Sequence, residues 1–149
     1  MTFVYRFLGE ASLKLGDTTN AIYFHKEGLE LCKKLKIMNR IGFAHDLLGY
    51  IYFHQNNYNQ AIEHFSQSLA VFENLNINHR TALAAGNIGL SYVNLNVKRE
   101  SVHLLTIASK HYELDNNIKG HIWMNSLLSN ISLASETFLN FSINSSISQ

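Results

Sequence analysis

The chain contains no proline in 149 residues, a single cysteine, Cys32, and few charges, with Asp, Glu, Lys and Arg making up 15%. Each scarcity excludes something. Without proline, nothing deletes a backbone donor or wedges a ring against the preceding turn, so long uninterrupted helices are permitted. One cysteine rules out an intramolecular disulfide and the stapled scaffold of small secreted domains, which makes a cytoplasmic setting the expectation. No apolar run approaches the roughly 18 residues that suggest a membrane span. The opening MTFVYRFLGEASLK lacks the charged start, apolar middle and small-residue cleavage site of a signal peptide, so a soluble chain without membrane contact is expected. The 12 basic and 11 acidic residues leave a formal net charge of +1, with no long run of either sign. A nucleic-acid binder would need a basic stripe to collect phosphates, so none is expected as a partner.

What the chain does have is a repeat. Leu8-Gly9, Leu48-Gly49 and Ile88-Gly89 stand in step at a spacing of 40 residues, followed by Ala21, Ala61 and Ser101. Ser12, Tyr52 and Tyr92 share a register, as do His25, Phe65 and Leu105, and Gly28, Ser68 and Ala108. The polar turn Gly16-Asp17 returns as Asn56-Asn57 and then Asn96-Val97, and a degraded fourth copy carries Leu128-Ser129 and Ser132. Self-similarity at this period marks a stacked helical array, an architecture that offers surfaces to other chains.

Each unit reads as two antiparallel helices. In the second, Ile62, Phe65, Leu69 and Phe72 are spaced to share one helical face. Asn56 suits the left-handed residue that ends a helix, and Asn57 the cap of the next, with Gln60 placed to close a capping box. Val97 cannot cap, a loss of about 1 kcal/mol, so the third hairpin is expected to be the least well defined. The register predicts helices over about 2–15, 18–36, 40–55, 58–75, 80–95, 98–114 and 118–134. Four-residue links, Lys36-Ile37-Met38-Asn39 and Asn76-Ile77-Asn78-His79, join the units. Residues 1–143 form one solenoid, with repeats at about 1–39, 40–79, 80–117 and 118–143. Phe138 to Ile143 is expected as a short terminal helix and 144–149 as a frayed polar tail. The glycines at 9, 49 and 89 sit inside helices at roughly 1 kcal/mol each relative to Ala. A close helix crossing is the expected reason.

The unit L-G-x-x-Y, eight residues, A-x-x-x-F, x-x-A resembles the tetratricopeptide repeat, filled well by Tyr52, Ala61 and Phe65. Gly89, Tyr92 and Ala108 fill it in the third unit, and Gly9, Ala21 and Gly28 in the first. The common form repeats every 34 residues or so; this chain is similar to the longer variety with 40-residue units. The resemblance implies an all-α, right-handed α-solenoid of about three and a half antiparallel helix pairs. It also implies a concave groove lined by the first helix of each unit. Carried over by register, the groove residues are Arg6, Glu10 and Lys14, then Asp46, Tyr50, Phe53 and His54, then Leu90, Asn94 and Asn130. Leu13, Gly86, Val93 and Ser126 share those faces. Chaperone cochaperones grip a C-terminal carboxylate with basic and amide side chains, but Asp46, Tyr50, Gly86 and Leu90 occupy the corresponding sites here. The groove instead suits an amphipathic helix or an extended peptide.

Chemistry is not expected. The eight histidines contain no i, i+4 pair and no cluster with Cys32 at zinc spacing, so no metal or other cofactor is implied. His25 is expected at an interhelical seam with its ring nitrogens satisfied at the edge, and Cys32 in a small buried packing role. Asp46 and His54 lie about two turns apart, roughly 12 Å of rise, beyond direct hydrogen bonding. Phe3, Phe43 and Trp123 share a first-helix register with Leu83 and divide between groove and core. Phe3 stands out, because an unpartnered first helix would leave an apolar flank open to a further repeat or to self-association. The leading expectation is therefore a non-enzymatic scaffold or adaptor that binds a protein or peptide segment. The alternative is a peptide-sensing regulatory module of a larger signalling or transcription regulator.

Overall fold

The computed structural model describes residues 2–147, with side chains described for 2–134. These residues form α1 (Thr2–Lys14), α2 (Thr18–Lys34), α3 (Met38–His54), α4 (Tyr58–Asn74), α5 (Asn78–Asn94), α6 (Lys98–Leu114) and α7 (Ile118–Ile147). No strand occurs among them. Each helix packs chiefly on its neighbours in sequence, as an α-solenoid requires.

The turns show why the units are alike. From α2 onward, helices begin every 20 residues, at 18, 38, 58, 78, 98 and 118, so the 40-residue repeat is two half-units of equal length. Each of the six turns between these helices holds a left-handed residue: Gly16, Lys36, Asn56, Asn76, Asn96 and Asn116, with φ between 53° and 76°. The two N–H groups that follow the helix fold back to its last carbonyls. At Asn56 and Asn57 they reach the Phe53 and Tyr52 carbonyls at 3.0 and 2.9 Å, which satisfies groups the helix end would orphan. Asn tolerates this conformation better than most residues and Gly best, so Lys36 is the strained member.

This geometry corrects three expectations. Helices α3 and α5 start at Met38 and Asn78 rather than near 40 and 80, and the links are three residues long. Ile37 and Ile77 were unrecognisable as caps, since neither makes a side-chain capping bond. Their N–H groups instead bond the Cys32 and Phe72 carbonyls at 3.0 Å, and their half-buried side chains take the apolar position after the left-handed residue. The Val97 turn lacks a side-chain cap, yet its backbone closes like the others, with Asn96 and Val97 N–H at 3.0 and 2.9 Å from their carbonyls. Helix α7 runs on through 134, because Glu136 and Thr137 supply no left-handed turn. The separate helix expected at 138–143 is part of it, as are residues 144–147, while 148 and 149 lie outside the described residues.

Asp17 and Asn57 do cap as expected, accepting from the Asn20 and Gln60 N–H groups at 3.0 and 3.4 Å. Gln60 answers through side chains, its Oε1 accepting from Asn57 Nδ2 at 3.1 Å. The helix crossings explain the in-step glycines at 9, 49 and 89. A Cβ on Gly9, Gly49 or Gly89 would stand 2.5 to 2.8 Å from the side chain of His25, Phe65 or Leu105 respectively. In each unit, the second helix presses a side chain into the notch the first leaves open. His25 sits at this seam and is buried. Around these crossings one apolar cluster gathers Leu29, Leu48, Tyr52, Phe65 and Ile88. A second gathers Ala82, Leu105, Tyr112 and Met124, so a hydrophobic seam runs the length of the array.

A candidate binding cleft between the first helices

The solenoid leaves a cleft of about 520 Å³ where α1, α2 and α3 meet, closed at one side by Arg80 of α5. Its walls carry Phe3, Phe24, Phe43 and Tyr50, and its charges are Arg6, Glu10, Arg40, Asp46 and Arg80. Two of the arginines are held the same way. The Arg40 guanidinium lies over the Phe3 ring at 3.9 Å, and that of Arg80 over Phe43 at 4.2 Å. Since residues 3 and 43, and 40 and 80, differ by one repeat, this is one inter-repeat device used twice. In the next register Leu83 and Gly120 replace both members, and the device ends.

Asp46 is buried at 6% exposure. Ser68 Oγ donates to its Oδ1 at 2.5 Å, and Arg80 Nη1 lies 3.9 Å from its Oδ2. Burial pushes its carboxyl up to about 6, against the pull of Ser68 and Arg80. Arg6 pairs loosely with Glu10 at 3.8 Å on the exposed rim. Arg40 donates to Thr2 Oγ1 and, among the described residues, has no ion-pair partner. Two further buried nitrogens at the cleft, Arg80 Nε and His25 Nε2, lack a hydrogen-bond partner, so the His25 ring is not satisfied at the seam edge as expected: burial there keeps Nε2 from an acceptor. Burial lowers the His25 imidazole and raises the Cys32 thiol, so both are held neutral.

Of the residues assigned to the groove from the sequence, Arg6, Glu10, Asp46 and Tyr50 line this cleft. Lys14, His54, Asn94 and Asn130 are exposed along the same series of helices but outside it. Leu90 is half-buried, its carbonyl accepting from Asn94 Nδ2 at 2.9 Å. Phe53 packs against the core, edge to face with Tyr58 at 5.4 Å. Arg40 and Arg80 were missed, although two arginines one repeat apart at the starts of first helices, each matched to a phenylalanine, were the visible signal.

A second polar cluster lies apart, between α3 and α4. His45 Nδ1 and His64 Nδ1 are 3.0 Å apart, and Tyr52 stacks on His64 at 5.4 Å. One ring must donate and the other accept, so at most one of the two can carry a positive charge. Burial, with His64 beside it, drives His45 down to about 4, and burial lowers His64 as well. Among the described residues no three His, Cys, Asp or Glu converge at metal-holding distance. Nor is any described helix long and apolar enough to cross a membrane.

The fold has counterparts among solved structures. The apo form of RapI superposes with a TM-score of 0.83 at 15% identity, over 95% of this chain and 40% of that one. Aspartyl phosphate phosphatase F from Bacillus subtilis gives 0.81 at 16%, over 93% and 37%. The N-terminal domain of stress-induced protein-1 from C. elegans gives 0.68 at 14%, over 83% of this chain and 94% of that domain. At these identities the likeness is one of fold, and the chain spans about two fifths of the length of the first two. None of the curated proteins matches the sequence. Residues 41–113 match the tetratricopeptide repeat family. Over those residues the chain belongs to the tetratricopeptide repeat family, in the variety with 40-residue units, and its fold extends the same helix pairs to either side.

Proposed function

We propose that the protein is an interaction module that holds a peptide or helical segment of a partner protein along the first helices, with the α1–α3 cleft as its principal contact. The observation that carries this reading is the cleft itself. Half-exposed aromatic rings and cations meet there in about 520 Å³, a size suited to one or two anchor side chains. The groove positions beyond it, Lys14, His54, Leu90, Asn94 and Asn130, would extend the contact along the array. No catalytic role is assigned: Cys32 and His25 are held neutral in packed positions, and Asp46 is engaged by Ser68. A cytoplasmic, reducing setting goes with one buried cysteine.

Tyr50 offers the test. It is 41% exposed at the cleft, with one edge on Phe65, so Tyr50→Ala should reduce capture of partner peptides about tenfold while leaving helicity by circular dichroism unchanged. Undiminished capture would remove the cleft from the binding surface. A second reading, a peptide-sensing module within a larger regulator, is supported by the relation in length to RapI and the phosphatase, of which this chain spans 40% and 37%. Ligand-dependent activity of an attached effector domain would favour it.

A further inference from the structure

The cleft is richer in donors than its own acceptors can use. Three guanidiniums face it, and each brings five N–H donors. Against them stand two carboxylates, of which Glu10 is half-buried beside Arg6 and Asp46 is already engaged by Ser68 and Arg80. Arg40 is half-buried with no carboxylate partner among the described residues, and Arg80 Nε is buried with no acceptor at all. Leaving a cation or a donor in this condition is unfavourable unless something supplies the missing acceptor. A guanidinium seated on an aromatic face also keeps its in-plane N–H edge free, and that edge matches a carboxylate in a two-point fork. Phe3 and Phe43 hold Arg40 and Arg80 in this manner, Arg40 giving one Nη1 hydrogen to Thr2 Oγ1 and Arg80 turning Nη1 towards Asp46, which leaves their other N–H groups for a ligand. Phe24 and Tyr50 complete an apolar wall beside the cations.

We propose that the cleft selects an acidic peptide segment, in which a carboxylate is forked by Arg40, with Arg6 and Arg80 at its sides, and a neighbouring aromatic or aliphatic residue packs among Phe24, Phe43 and Tyr50. This deepens the peptide-binding reading above and rests on it. The charge complementarity is local: the whole chain carries a net charge of only +1, so selection comes from the cleft rather than from a general field. Arg6 is the outermost cation, and its contribution should fade with salt.

The experiment is selection of binders from a random peptide library by the intact chain, with Kd values of the recovered peptides measured by fluorescence anisotropy. Peptides enriched in Asp or Glu next to an aromatic or aliphatic residue are expected. Arg40→Gln should weaken them about tenfold or more and Arg40→Lys by less, because the charge survives but the fork is lost. Changing the acidic residue of the peptide to its amide should weaken binding similarly, and should weaken it less against Arg40→Gln. If Arg40→Gln lowers the melting temperature, Arg6→Gln on the exposed rim provides the same comparison in a folded protein. Peptides that carry no acidic preference but still depend on Tyr50 would overturn this inference and leave peptide binding intact. Recovery of no peptide at all would overturn both.

Discussion

Replacing Gly49 by Ala sets two effects of opposite sign against each other, and the structure decides between them. Alanine is the better helix former by about 1 kcal/mol, so in an open helix the change would stabilise. Here the added Cβ would stand 2.7 Å from Phe65 Cδ1 and Cε1 and 3.0 Å from Cγ. Phe65 is fully buried and braced by Leu48, Tyr52 and Ile88, so its ring has nowhere to turn. Overpacking of this kind costs about 1–3 kcal/mol, and with the propensity gain of about 1 kcal/mol set against it a net loss of up to about 2 kcal/mol is expected. Gly86→Ala makes the reverse case. Its Cβ would meet Met124 Cε and Sδ at 3.5 Å and Ala108 Cβ at 3.7 Å, ordinary contacts with a compliant side chain. That variant should gain about 0.5–1 kcal/mol. Urea unfolding followed by helical ellipticity measures both, with the slope as a check that the transition is unchanged. A stabilised Gly49→Ala, or a Gly86→Ala that loses as much, would refute the crossing argument.

Three further expectations follow from local geometry. Lys36 holds a φ of 53° where other turns use Asn or Gly, so Lys36→Asn should raise stability by about 0.5–1 kcal/mol in the same unfolding assay, and a loss would contradict the strain reading. Val97 occupies the capping position filled by Asp17 and Asn57, so Val97→Asp should gain about 1 kcal/mol, with no gain if the turn already needs no cap. Acidification should destabilise the fold. The lowered imidazoles of His25, His45 and His64 bind fewer protons folded than unfolded, so stability is lost as pH falls below 6.5 towards about 4. Asp46, raised to about 6, works in the other direction between pH 6 and 3.8 and offsets part of the loss. Changing His45 and His64 together to Leu should flatten the melting temperature between pH 7 and pH 4, and an unaltered profile would exclude the pair as its source.

The sequence disclosed what is periodic and hid what is not. Gly9 with His25, Gly49 with Phe65 and Gly89 with Leu105 lie in one register because each glycine makes room for that side chain, so the helix crossings were legible before any coordinates. The starts of α3 and α5 were not, because Ile37 and Ile77 work through backbone bonds and an apolar contact instead of a capping oxygen. The unbroken α7 escaped for a related reason: a missing turn is a weaker signal than a present one. At the cleft, Arg6, Glu10, Asp46 and Tyr50 were reached by following helix faces. Arg40 and Arg80 stand in the first turns of α3 and α5, before those faces begin, and only their pairing across repeats with Phe3 and Phe43 draws them in.

Hydrogen exchange on the chain with and without a selected peptide tests the central claim most directly, since it reads where the partner lies without assuming its pose. New protection concentrated in 2–14 and 38–54, and extending to the start of 78–94, is the predicted result. Protection confined to 18–34, 58–74 and 98–114, the second helices of the pairs, would contradict it.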